Sequence, residues 1–217
     1  ALSSYYINDD MFGVLVSAGS YSTDTLIPDS GFLVSVPDSY NGGSYANLDD
    51  ESSWGYWSAD FANAGSASSF DVDERSTWIA GIETATSAVA SSPNATYNGH
   101  VLGAVTNGST VSAINFDANN LVSLTFAFGA GSDSFSGSMA FQTANSQTWS
   151  ATVSGTGDNT TFSGSASSGT GAGSSIDSSS MTGKYYGTGV VKSVGGKFSL
   201  TSSGSGYTAF GVFKAAK

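Results

Sequence analysis

From Tyr97 onward the chain runs in short stretches that alternate apolar with small polar residues, each ending at glycine, asparagine or serine. Val122, Leu124, Phe126 and Phe128 face one way, while Ser123, Thr125 and Ala127 face the other. Phe135, Gly137, Met139 and Phe141 alternate with small polar residues, and Trp149, Ala151 and Val153 alternate with Ser150, Thr152 and Ser154. A period of two puts successive side chains on opposite faces of a strand, so each stretch predicts a strand with one apolar face. With Tyr97–Val105, Thr161–Gly164, Gly183–Gly187, Val194–Leu200 and Tyr207–Phe213, the count reaches eight candidate strands. Their even spacing predicts an antiparallel, all-β barrel. The last stretch is apolar on both faces, with Tyr207, Ala209 and Phe213 on one and Phe210 and Val212 on the other. It should therefore lie under another element, and the N-terminal part of the chain is the candidate.

The first part of the chain is less regular. Phe12, Val14 and Val16, then Phe32, Val34 and Val36, alternate as strands would, and Tyr40-Asn-Gly-Gly43 forms a turn cluster. Trp54-Gly-Tyr-Trp57 is a dense aromatic knot. It reads either as a core strand or as an exposed aromatic platform for a ligand, with Trp54, Tyr56 and Trp57 as contacts. Across residues 71–90, Trp78, Ile82, Ala85 and Val89 recur at helical spacing, but Thr77, Gly81, Thr84 and Thr86 weaken a helix. The segment is read as extended or irregular. Pro93-Asn94 marks a boundary, dividing a β-rich region at 1–93 from a barrel at 94–217. Gly155-Thr-Gly157 and Gly169-Thr-Gly-Ala-Gly173 lack the lysine and the strand-to-helix setting of a phosphate loop and read as hairpin turns.

Composition places this β protein outside the cell. Charged residues make up only 11% of 217, and Gly reaches 28, which suits a secreted or surface β domain. The 4 Trp, 10 Tyr and 13 Phe supply the core that a disordered chain would lack. Thirteen of the 17 acids fall in residues 1–90, whereas all five lysines lie from Lys184 onward. A net charge of −11 opposes binding to nucleic acid or to an anionic membrane surface. Cysteine is absent, which removes disulfides, thiolate metal sites and cysteine nucleophiles. No run approaches the roughly 20 apolar residues of a spanning helix. Ala1-Leu-Ser-Ser reads as a mature terminus left by signal-peptide removal, and the chain is taken as exported.

Candidate chemistry is sparse. His100 is the sole histidine, and it is open to two readings: a structural histidine or an axial haem ligand. No Gly-x-Ser-x-Gly elbow accompanies it, so the chain reads as a non-enzyme. Asp49-Asp50-Glu51 and Asp71-Val-Asp73-Glu74 supply hard oxygens in a region nearly without bases. Calcium needs six to eight such ligands; a solvated acidic face is the alternative. Asn94, Asn107 and Asn159 open Asn-x-Ser/Thr sequons, which matter if the host glycosylates such sites.

Several of these segments together resemble the eight-stranded barrel of transferrin-binding protein B and its relatives. They are Tyr97-Asn-Gly-His…Gly103-Ala-Val, Phe135-Ser-Gly-Ser-Met-Ala-Phe, the Trp149 strand, Phe162-Ser-Gly, Gly183-Lys-Tyr-Tyr-Gly, Val194-Gly-Gly-Lys-Phe198 and Gly211-Val-Phe213. Trp54-Gly-Tyr-Trp57 and Trp78-Ile-Ala-Gly81 resemble the segment that precedes this barrel, so the likeness covers roughly residues 54–217. It implies an eight-stranded antiparallel barrel preceded by a smaller, handle-like β domain. It also implies an extracellular binding module whose loops reach a protein or haem-like ligand, with no ligand residue carried over. Classical members of that family are tethered through an N-terminal cysteine that this chain lacks, which makes it more similar to haemophore-like, secreted relatives.

A second expectation rests on the residues alone. A surface low in charge and rich in Ser, Thr, Ala and Gly suits close packing of identical copies. A strand such as Tyr5–Ile7 or Phe12–Val16 could add to a neighbour's sheet edge and build a surface filament or matrix.

Overall fold

The structure is a computed structural model, and it describes residues 26–35, 39–40, 43–44, 52–63 and 69–217. The candidate strands at Tyr5–Ile7 and Phe12–Val16 lie outside those residues. In chain order the elements are β1 (Leu26–Ser35), β2 (Ser39–Tyr40), β3 (Gly43–Ser44), β4 (Ser52–Asn63), β5 (Ser69–Gly81) and the helix α1 (Thr86–Ala90). Then follow β6 (Ala95–Thr106), β7 (Val111–Ala113), β8 (Leu121–Ala127), β9 (Asp133–Gln142) and β10 (Thr148–Gly157). The chain ends with β11 (Thr161–Gly171), β12 (Ser174–Ser175), β13 (Ser178–Tyr186), β14 (Ser193–Ser202) and β15 (Tyr207–Ala216).

Eight of these strands close into an antiparallel barrel in the order β6, β8, β9, β10, β11, β13, β14, β15, with β15 returning to pair β6. Alternation along the sequence sets which face points inward. In β8, Val122, Leu124 and Phe126 are buried while Leu121 and Thr125 are exposed, and β10 buries Trp149, Ala151 and Val153. Eight strands leave an interior just wide enough for side chains. Here rings fill it: Phe126 lies 5.0 Å from Phe162 and 5.2 Å from Phe135, and Phe141 stacks on Trp149 at 6.0 Å. One end is stoppered by Val89 of α1 and by Val191, both buried in the same core. Val191 N donates to Ser92 Oγ at 3.0 Å and Val191 O accepts from Tyr97 Oη at 3.2 Å, which ties the stopper to the wall.

Sharp curvature is managed by glycine. Gly103 on β6 stands opposite Gly211 on β15, and a Cβ on Gly211 would fall 1.9 Å from Leu102 O. Two backbones approach there as no side chain would allow. The same device corrects an expectation. Gly155-Thr-Gly157 and Gly169-Thr-Gly171 are not hairpin turns but lie inside β10 and β11, where Gly155 faces Gly164; only Ala172-Gly173 turns, with φ of 49° and 85°. Residues 71–90 also resolve differently along their length. They remain extended to Gly81 and then form the single turn α1 within the alanine-rich run. Ser91 and Ser92 hydroxyls donate back to Ser87 O and Ala88 O and close that turn before Pro93.

The preceding strands form a three-stranded antiparallel sheet, β1-β4-β5, and β2 pairs β3 across the predicted Tyr40–Gly43 turn. The base of β4 and the end of β5 lie on the outer wall of the barrel. There Trp54 and Ile79 pack with Leu102 of β6, Tyr186 of β13 and Val212 of β15, and Phe116 joins them. This is why β15 is apolar on both faces: Phe213 points into the barrel and Val212 points under the handle. Phe210, two residues earlier on the outer face, lies beyond that cover and stays 41% exposed.

Candidate functional site

The outer wall beneath the handle carries an unusual set of buried polar groups. His100 and Lys214 stand directly opposite each other on β6 and β15, both outward, one step from the apolar pair Leu102 and Val212. Lys214 is fully buried, and its Nζ donates to Ser52 O at the start of β4 at 2.6 Å. Ser52 Oγ shares a hydrogen bond of 2.9 Å with Ser193 Oγ on β14. A buried ammonium or hydroxyl is tolerated only when it is hydrogen-bonded, so these contacts fix the base of the handle as well as satisfy the groups.

His100 is 4% exposed, with its ring edge-on to Phe116 at 5.1 Å. Its Nδ1 bonds Asn120 O. A carbonyl only accepts, so Nδ1 carries the hydrogen and Nε2 is the basic nitrogen of the neutral ring. Burial holds the imidazole below its ordinary pKa, and the Asn120 carbonyl pulls weakly the other way. A tautomer fixed in this way is one a metal ligand uses. However, a porphyrin could reach the ring only by displacing its cover, of which Phe116 is part.

Trp54 is 1% exposed and belongs to the handle–barrel contact, so its ring is core and not an open platform. Tyr56 and Trp57 follow it on β4, opposite Thr77 and Ser76, and their side chains lie outside the described residues. So do Asp49, Asp50 and Glu51. Asp71 and Asp73 lie on β5, with Asp71 in register with Asp60 of β4; their side chains too are outside the described set. Among the described residues no group of three or more His, Asp or Glu comes together.

At the stoppered end, two loops are tied by residues that the sequence did not mark. Asp133, 3% exposed, accepts from Asn159 N at 2.9 Å through Oδ2 and from Asn159 Nδ2 at 2.6 Å through Oδ1. Asn159 Nδ2 also donates to Gly129 O at 2.9 Å, and Asn159 Oδ1 accepts from Gly131 N at 2.7 Å. Asn159 adopts φ of 66° and is 1% exposed, so this sequon nitrogen is closed to glycosylation in the folded protein. Asn94 and Asn107 lie in exposed turns, where their Oδ1 atoms accept from Phe128 N and Thr110 N.

No family model matches the chain, and no curated protein matches it in sequence. Solved structures do. A single-substitution variant of transferrin binding protein B from Haemophilus parasuis Hp5 aligns with a TM-score of 0.53 at 19% identity, covering 78% of this chain and 33% of its own. A double variant of the same protein gives 0.52 at 19% identity over 77% and 32%. The intact Ap-TbpB, with its N and C lobes, gives 0.52 at 19% identity over 86% and 38%. The chain thus spans about a third of the length of the structures it matches. At such identity the likeness is one of fold, and the fold is that of transferrin binding protein B: an eight-stranded antiparallel barrel preceded by a smaller β-sheet handle.

Proposed function

We propose that this chain is a non-enzymatic extracellular binding module that recognises a protein partner through the loops and handle on its outer surface. The observation that carries the reading is the filled interior. Rings occupy the barrel and Val89 and Val191 seal one end, so a partner meets the outside of the wall and its loops. Solved structures of the same fold are transferrin binding proteins, which favours a protein ligand. A haem-like ligand would have to uncover His100 first. Biolayer interferometry with the full chain immobilised, against transferrin and against haem, tests this. Saturable binding to transferrin supports the protein form. A Soret shift that is lost in His100→Ala supports the haem form, and the absence of any shift removes it.

A second reading is favoured by one feature of the handle. In the three-stranded sheet β1 has a strand on one side only, since among the described residues it pairs β4 alone. An unpaired edge accepts an added strand, which is how a filament subunit would join its neighbour. Deleting residues 1–17 would leave soluble monomers with an intact barrel on that reading, and polymers that persist would sink it.

A further inference from the structure

A groove of about 390 Å³ opens on the outer wall beside the handle, bordered by β5, β11, β13 and β14. No local motif marks it, because its parts come from four separate strands. Strand register arranges its floor as two rows. Ser163, Thr182 and Lys197 stand side by side across β11, β13 and β14, and Thr161, Lys184 and Gly195 form the row beneath. Neighbouring strands lie about 4.8 Å apart, so each row spans roughly 10 Å. Thr161, Ser163, Thr182 and Lys197 are exposed. Ile79 of the handle closes one side: it sits over Gly195 so closely that a Cβ there would lie 2.2 Å from Ile79 Cδ1, and it and Tyr186 are both buried in the handle contact.

Charge sharpens the picture. In a chain of net charge −11, none of the described residues lining this groove is acidic and two are lysines. Lys184 Nζ is held by Glu83 Oε1 at 2.6 Å, whereas Lys197 makes no ion pair among the described residues. All three barrel strands are hydrogen-bonded on both sides, so an extended peptide finds no backbone edge here. Contacts must come through side chains: three hydroxyls and an ammonium. The volume falls within the range of small-molecule sites, about 300–1,000 Å³.

We infer that this groove binds an acidic saccharide, a pyranose ring bearing a carboxylate. Its hydroxyls meet Thr161, Ser163 and Thr182, and its carboxylate pairs with Lys197. The inference stands apart from recognition of a protein partner by the loops. NMR titration of the full chain with D-glucuronate at low ionic strength tests it. The expected result is a saturable shift of the Thr182, Gly183, Gly195 and Gly196 amides, weakened at least tenfold by Lys197→Gln, with glucose at least tenfold weaker than glucuronate. Lys197 is an exposed side chain, so the variant folds as the parent does. No saturable shift, or equal affinity in Lys197→Gln, overturns the assignment. Equal shifts from acetate would reduce the groove to a bare cation. Shifts from oligoglutamate without any from glucuronate would assign it to a protein partner, and either result overturns the saccharide.

Discussion

The carboxamide of Asn120 hydrogen-bonds both backbone groups of Val101: Oδ1 accepts from Val101 N at 2.8 Å and Nδ2 donates to Val101 O at 2.7 Å. It does so where β6 has lost a neighbour. Pairing with β8 ends at Gly99, and pairing with β7 begins at Ala104. One side chain therefore stands in for a missing strand at a fully buried position, while the Asn120 backbone carbonyl holds His100.

Replacing Asn120 by Ala leaves two buried backbone groups of Val101 unpaired, each costing about 1–3 kcal/mol. The expected loss is about 2–6 kcal/mol in urea denaturation. An unchanged midpoint would mean that water or a rearranged loop serves Val101 equally well.

At the glycine crossing, Gly211→Ala places a methyl 1.9 Å from Leu102 O, which neither strand can avoid without moving. Overpacking of this kind costs about 1–3 kcal/mol or more. Ser154→Ala, on the exposed face of β10, should stay within about 0.5 kcal/mol. Thermal melts of the pair should separate clearly, and matching melts would contradict the close approach.

The imidazole of His100 predicts a pH dependence. Its folded pKa lies below the ordinary 6.5, so the unfolded chain binds the proton first as pH falls. The stability it contributes is fully present above about pH 6.5 and is lost as pH drops toward the folded value. Asp158 and Asp177, held below the usual 3.8 chiefly by hydrogen bonds from Thr161 and Ser203, act only at lower pH. Denaturation midpoints should fall between pH 7 and pH 5, and this slope should flatten in His100→Gln. A slope that persists in the variant would place the titrating group elsewhere.

The handle is predicted to leave the wall without unfolding the barrel. Trp54→Ala removes the largest ring of the contact, worth about 3–5 kcal/mol when buried. Hydrogen exchange should then speed up in the base of β4 and the end of β5, while β8 to β10 keep their protection. Uniform loss across the barrel would show that residues 1–93 and 94–217 are one cooperative unit.

How much of this was legible follows from particular residues. Strands β8, β9 and β10 could be read directly, because Leu124, Met139 and Trp149 alternate with Ser and Thr. The length of β11 could not. After Phe162 its sequence is Ser, Gly, Ala and Thr on both faces, so hydropathy does not separate inside from outside. Lys214 does carry a signal in the sequence: a lone charge between Phe213 and Ala215, both buried. Asn120, Asp133 and Asn159 carried none, since a polar residue beside a turn looks the same whether it faces solvent or ties two loops together. The acidic clusters and the Trp54 knot drew attention by composition, yet Trp54 proved to be core because only the fold shows what lies above it.

Negative-stain electron microscopy of the purified full chain, with and without calcium, tests the central claim most directly. A binding module predicts dispersed, compact single particles in both conditions. Regular filaments, in either, would contradict it and make the chain a structural subunit.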